Sequence, residues 1–249
     1  MKTIPRTLLC LVLALPGGAF AQEQLERFQG YAYDLESGRY LFTEVVEQHI
    51  RDGGWLEGRT RYVLADGREL ARKTIDFTTD PFVPLYRIEQ LAGVREGITA
   101  NGDPVSMERT EKGRTRTATA RRAELMAADA GLPRLLRANF DALLAGQSLK
   151  IRIIAPLQLD TYGFKARRIA DAPFEDKPAT QIEVAMDSML KLFAGPLRFS
   201  FDPQTRRLLE FRGVTNLVDP ASGEPYTVRI SYYTVRPKDV PEVGAVAGK

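Results

Sequence analysis

Histidine, cysteine and tryptophan each occur only once in the 249 residues. Cys10 lies inside an N-terminal apolar stretch, and His49 stands near the end of the segment FTEVVEQHI. One histidine and one cysteine cannot supply the ligand sets of the usual zinc sites, and a disulfide needs two cysteines. No metal and no cofactor are expected. A P-loop and a G-x-G-x-x-G ahead of a helix are missing, as is the G-x-S-x-G that would give His49 a nucleophile to serve. No catalytic residue is assigned. Charge of one sign is also missing in excess, since 35 Lys and Arg face 32 Asp and Glu for a formal net charge of +3. That balance argues against general nucleic-acid binding. Beyond the leader, no stretch approaches the roughly 18 consecutive apolar residues of a membrane-spanning helix.

The leader itself, MKTIPRTLLCLVLALPGGAFAQEQ, has the form of a secretory signal. Lys2 and Arg6 make the basic end, Leu8 to Leu15 the short apolar stretch, and Pro16-Gly17-Gly18 the break. Ala19-Phe20-Ala21 satisfies the small-x-small rule for cleavage, so residues 1–21 are expected to be removed. The expected location is the periplasm or the exterior. A lipoprotein would need its cysteine at the cleavage point, where Gln22 stands instead, so no lipid anchor is expected. Cleavage would remove Cys10, Lys2 and Arg6, leaving 33 basic residues against 32 acidic ones and no thiol. A disulfide-free chain in an oxidising compartment depends on its core, and about 228 residues are ample for one.

Most of that chain alternates with period two. In GWLEGRTRYVLADGRELARKTIDF, Leu56, Thr60, Tyr62 and Leu64 share one face, with Glu57, Arg59 and Arg61 on the other. Asp66-Gly67 supplies a hairpin turn, after which Ile75 and Phe77 oppose Arg72, Thr74 and Asp76. SLKIRII, TQIEVAM, LRFSF and PYTVRISYY alternate in the same way. One-sided alternation belongs to antiparallel sheet with one wet face, whereas buried parallel strands read as continuous apolar runs. The pattern predicts about ten to twelve strands joined by short turns.

One segment follows helical spacing instead. Leu132, Leu135, Leu136, Phe140, Leu143 and Leu144 form a stripe, Pro133 suits the first turn and Gly146 the end. This predicts one main helix over about 132–145, extended by a turn from 123–130, with a second short helix over 187–195. PFEDKP at 173–178 reads as a polar loop, and 237–249 as a disordered tail. One full helix cannot cover the apolar face of so many strands. The sheet must curl, fold into a sandwich or bind something. The expected architecture is mainly β: a curved antiparallel meander forming an incomplete barrel, with the main helix in or over it. It occupies a single domain, 22–236.

The hairpin LRFSFDPQTRRLLEF, followed by YTVRISYY, resembles the outer-membrane lipoprotein carrier superfamily and related periplasmic half-barrel families. The local match is FSFDPQT, residues 199–205. The resemblance implies an incomplete barrel with helices over its opening and a hydrophobic cavity for acyl chains. No functional residues carry over by motif, and the chain has fewer helices than those carriers.

The expected function is that of a soluble periplasmic carrier or binding protein for a hydrophobic ligand: a lipid, an acyl chain or a lipidated protein. The expected lining is Trp55, Met186, Met189, Phe193, Phe199 and Phe201. The densest basic segment, RTEKGRTRTATARRAE, offers Arg114, Arg116, Arg121 and Arg122 to anionic head groups. Two other readings stay open. One is a non-enzymatic assembly factor docking an envelope protein through a strand edge or the basic hairpin. The other is a carboxylate hydrolase, for which Asp160 and Asp187 come nearest, through their apolar neighbours.

Overall fold

The structure is a computed structural model describing residues 23–186 and 195–243. The leader 1–21, Cys10, the helix expected over 187–195 (all but Gly195), and Asp187, Met189 and Phe193 lie outside the described residues.

The first half is an unbroken meander of β1 (Gln24–Asp34), β2 (Tyr40–Arg51), β3 (Gly54–Leu64), β4 (Glu69–Asp76), β5 (Leu85–Gln90), β6 (Val94–Ala100), β7 (Val105–Glu111) and β8 (Arg114–Ala120). A crossover follows, made of β9 (Met126–Ala127), α1 (Gly131–Ala138) and α2 (Phe140–Leu144). The second meander is β10 (Leu149–Ala155), β11 (Asp160–Arg168), β12 (Ala172–Phe174), β13 (Lys177–Met186), β14 (Leu197–Phe201), β15 (Leu208–Val218) and β16 (Pro225–Ser231). Local chemistry sets the turns. Asp34 Oδ1 accepts the Ser37 N–H at 2.8 Å, and Asp202 Oδ1 accepts those of Gln204 at 2.9 Å and Thr205 at 2.7 Å. These side chains imitate turn hydrogen bonds and release the strands in antiparallel register.

The two meanders join where β1 pairs with β16, with Tyr31 opposite Ser231 and Asp34 opposite Val228. One sheet results, in the order β8-β7-β6-β5-β4-β3-β2-β1-β16-β15-β14-β13-β11-β10-β9, with β12 on β13. Every pairing is antiparallel except β9 on β10. The sheet does not close, because β8 is left as a free edge. The architecture is the mainly β incomplete barrel that the alternation predicts, with more strands than expected.

Other expectations are corrected in detail. The 132–145 helix is two short helices, interrupted at Asn139, whose side-chain amide donates to the Leu135 carbonyl at 2.9 Å. An asparagine that satisfies a helix carbonyl with its side chain competes with the backbone for that bond and breaks the helix. Segment 123–130 is not a helical turn; it holds β9 and an irregular run into α1. The 173–178 loop is the tip of a small β12–β13 hairpin, turning at Glu175 and Asp176, both with positive φ. The outer face is not wet throughout. Tyr31 and Tyr33 pack with Val240, which is 2% exposed, so the start of the C-terminal tail covers part of β1.

Two cores lie side by side. In one, Leu132, Leu135, Leu136, Phe140 and Leu143 pack against Ile151, Ala166, Ile182, Val184, Phe199 and Phe201 of the second meander. In the other, Phe42, Tyr62, Leu70, Ile75, Ile88, Ile98 and Met107 of the first meander meet Ile154, Val228 and Ile230. The helices fill the concavity of the second half, where Phe140 meets Phe201 edge-on with centroids 5.7 Å apart. Phe140→Ala is expected to lower stability by about 3–5 kcal/mol, the usual cost of emptying a fully buried aromatic site. Urea unfolding with an unchanged m-value checks this, with Val235→Ala, at an exposed site, as the neutral control.

Candidate functional site

The start of α1 is held from both sides. The Ala128 N–H donates to the Phe82 carbonyl at 3.0 Å. Gly131 passes so close to Phe82 that a Cβ would lie 2.0 Å from that carbonyl oxygen, so only glycine fits. From the other side, Lys73 Nζ of β4 donates to Asp129 Oδ1 at 2.6 Å, with both side chains under 10% exposed. Asp129 adopts a positive φ of 46°, and its Oδ1 also accepts the Ala130 N–H at 2.6 Å.

This ion pair is the centre of a buried polar cluster. Asn216 Nδ2 of β15 donates to Asp129 Oδ2 at 3.2 Å and to Glu96 Oε1 of β6 at 2.8 Å. The Tyr86 hydroxyl reaches Glu96 Oε2 at 3.1 Å. Gln90 binds the Asn216 carbonyl and the Val218 N–H, fixing β15 beside them. Glu44 of β2 accepts the Tyr232 hydroxyl at 2.9 Å. Gly30 lets that tyrosine in, since a Cβ there would lie 2.6 Å from its ring. Burial pushes the Glu96 carboxyl up to about 7, with Asp129 adding to the shift, and burial also raises Glu44. For Lys73, burial is the largest influence and disfavours the charged form, but Asp129, Tyr62 and Glu44 together outweigh it and the pKa rises.

α1 leads from this cluster to a cleft of about 760 Å³ at the barrel mouth. Its walls are the starts of β1 and β3, the end of β2, α1 and the 202–207 turn. Aromatic and aliphatic groups come from Phe28, Ile50, Trp55, Phe201, Leu208 and Tyr232. Arginines 27, 134, 137, 206 and 207 line it, with Glu26 and Asp52 as the acidic members. Arg27 pairs with Glu47 and Arg206 with Asp141, while Arg134, Arg137 and Arg207 have no acidic partner among the described residues.

Arg134 is the unusual member. Its guanidinium carbon lies 5.1 Å from the Trp55 ring centre and 5.0 Å from that of Phe77. Its Nε is buried with no hydrogen-bond partner among the described residues. Burial, then the neighbouring Arg137, lowers its pKa. A half-desolvated, stacked guanidinium with unused donors has the chemistry of an anion site.

The residues expected from the sequence divide. Trp55 and Phe201 line the cleft, though Phe201 is 1% exposed. Phe199, 3% exposed, packs against Phe211 within the helix-bearing core. Met186 ends β13 at the opposite end of the β13–β14 pair from Phe201. Arg114 and Arg116 are exposed on β8, where charge keeps a free edge from pairing with another sheet. Arg121 and Arg122 border a separate polar crevice of about 410 Å³ with Arg152 and Asp160, and Arg122 pairs with Asp80. Asp160 is exposed and holds the Thr161 N–H. His49 pairs with Glu23 at the surface.

Sequence reasoning missed the cluster and all five of the cleft's arginines. The cluster left a signal. Lys73 sits in step with Ala71 and Ile75, Glu44 with Phe42 and Val46, and Glu96 with Val94 and Ile98. Each is a charge on the apolar parity of an alternating strand.

The fold is β-barrel-like. A crystal structure of a β-barrel-like protein of a domain of unknown function, DUF1849, from Brucella abortus is similar to it. The TM-score is 0.51 at 9% identity, covering 86% of this chain and 99% of that one. At that identity the likeness speaks for the fold alone. It supports the incomplete barrel and not the lipoprotein carrier superfamily in particular. No protein-family model and no curated protein matches the chain.

Removing the cluster's one ammonium tests its structural role. Lys73→Met leaves Asp129 buried and uncompensated, and is expected to cost about 3–5 kcal/mol in urea unfolding. The double variant Lys73→Met/Asp129→Asn should recover most of that loss, because no orphan charge remains. Equal losses in both would show that packing, rather than the charge pair, matters there.

Proposed function

We propose that the protein is a periplasmic carrier or binding protein whose cleft holds an amphiphile with an acidic head, such as a lipid, an acyl chain or the acyl group of a lipoprotein. One observation carries the reading: aromatic rings and arginines share a single opening, and three of those arginines have no acidic partner among the described residues. The volume falls within the range of small-molecule sites. Phe28, Trp55, Leu208 and Tyr232 would take the apolar body, and Arg134, flanked by Arg137, the anionic head. A guanidinium already stripped of much of its water gains more from an anion than an exposed one does. Shape, apolar area and charge suffice for this role, and no residue is asked to do chemistry. The signal-like leader supports export, which places the cleft where envelope amphiphiles occur.

Native mass spectrometry of the protein purified from its own periplasm, with organic extraction, should show an acyl-containing adduct. A fluorescent fatty acid should bind the delipidated protein, and Arg134→Gln should weaken that binding tenfold or more, the scale of one lost charge-assisted hydrogen bond. Arg114→Gln/Arg116→Gln, on β8, should leave it unchanged. A clean apo mass together with no uptake of the fatty acid by folded protein would sink the reading.

A further inference from the structure

The cluster and the cleft are connected at two points. Asp129 belongs to the cluster and stands two residues ahead of α1, which carries Arg134 over Trp55. Tyr232 gives its hydroxyl to Glu44 and its ring to the cleft wall. Among the described residues the cluster holds one ammonium, Lys73, and three carboxyls, Glu44, Glu96 and Asp129. With all of them ionised, the interior would carry two uncompensated negative charges away from water, and a buried site sheds such charge by taking up protons. The groups facing Glu96 leave no second cation to relieve it. They are Tyr86 from β5, Lys73 from β4, Asp129 ahead of α1 and Asn216 from β15, with Glu44 and Tyr62 from β2 and β3 and Tyr232 after β16 completing the cluster. A single neutral amide, Asn216 Nδ2, bridges Glu96 and Asp129 with one N–H to each, so ionising Glu96 sets two like charges on either side of one uncharged group.

We infer that the cluster is a proton-operated latch on the cleft: a proton on Glu96 keeps Asp129 and α1 seated with Arg134 stacked on Trp55, and loss of that proton loosens them. The raised Glu96 carboxyl supports this and gives the sign. Its value of about 7 in the folded protein stands above the ordinary 4.5. The proton is therefore held by the fold, and its stabilisation is fully present below 4.5 and lost as the pH rises through 7. Acidification tightens the cleft and alkalinisation relaxes it.

Trp55 is the chain's single tryptophan, so its emission reports directly on the Arg134 stack. In ligand-free protein titrated from pH 5 to 9, with far-UV circular dichroism constant, the emission should change with a midpoint near 7. Glu96→Gln, nearly the same shape but unable to ionise, should keep the low-pH emission throughout. His49 neighbours Ile50, the strand partner of Trp55, so His49→Asn is the control and should retain the wild-type transition. A flat wild-type titration, a transition that survives Glu96→Gln, or one that vanishes in His49→Asn would each overturn the latch. A second arm rests on the ligand reading above and uses a fluorescent alkylsulfonate, charged at every pH tested. It should bind the wild type several-fold more tightly at pH 5.5 than at 8.5, and Glu96→Gln equally at both. If the alkylsulfonate binds nowhere while the Trp55 transition is present and depends on Glu96, the latch stands and the ligand reading falls. If it binds equally at both pH values and the emission is flat, the latch falls and the ligand reading stands.

Discussion

Lys73 Nζ and Asp129 Oδ1, 2.6 Å apart inside the barrel, connect the first meander to the crossover that starts the helices. A buried ion pair stabilises little compared with well-packed apolar side chains, because both ions lose their water, but separating the partners is costly. Its effect here is positional. Apolar packing alone would let a short helix slide or turn in a curved sheet. One ammonium that must meet one carboxylate permits a single seating of Asp129, and Phe82 closes on the same turn from the other side. The place of Arg134 over Trp55 and Phe77 follows from that seating.

The same electrostatics runs differently on the outer face. Glu183 lies between Arg167 and Arg198 on neighbouring strands, at 2.9 and 3.3 Å, and hydrogen bonding from Arg167 holds its carboxyl below the usual range. Glu210 is shielded by Arg212 and Ser231. These glutamates are buried under arginine stems while the guanidinium heads reach water, and at Glu183 the two arginines together outweigh the desolvation of its carboxyl. Inside, among the described residues, Glu44 and Glu96 have only neutral hydrogen-bond donors for direct partners, and burial raises them. Glu183 outside and Glu44 and Glu96 inside thus shift in opposite directions, and whether a cation meets the carboxyl directly decides which way.

Much of the architecture was legible. The alternation in residues 54–77, the Asp-initiated turns and the leucine stripe at 132–144 predicted one-sided antiparallel strands and a helical insert, and each is present. The break at Asn139 was harder to read, because a side chain competing for a backbone carbonyl leaves no mark on the period of the apolar stripe. The cleft was half legible. Trp55 and Phe201 were named from their apolar character, but Arg134, Arg137, Arg206 and Arg207 resemble any solvated arginine in a linear chain. Arg134 lies 79 positions from Trp55, and Arg206 comes from a turn in the other meander. The cluster was written in the sequence as charges on apolar parity, a signal that is ambiguous until a partner is known, since an isolated inward charge reads equally well as a bulge or a strand end.

By itself the sequence determined the antiparallel, one-sided strands and the helical insert, because each depends on spacing within a few residues of chain. The tertiary structure alone decided that the two meanders join through β1 and β16, that two glutamates and a lysine from three strands meet Asp129 of the crossover inside, and that five arginines surround one aromatic opening. Those outcomes depend on distances between residues tens to hundreds of positions apart. Such distances are set by the curvature of the whole sheet, which no local pattern encodes.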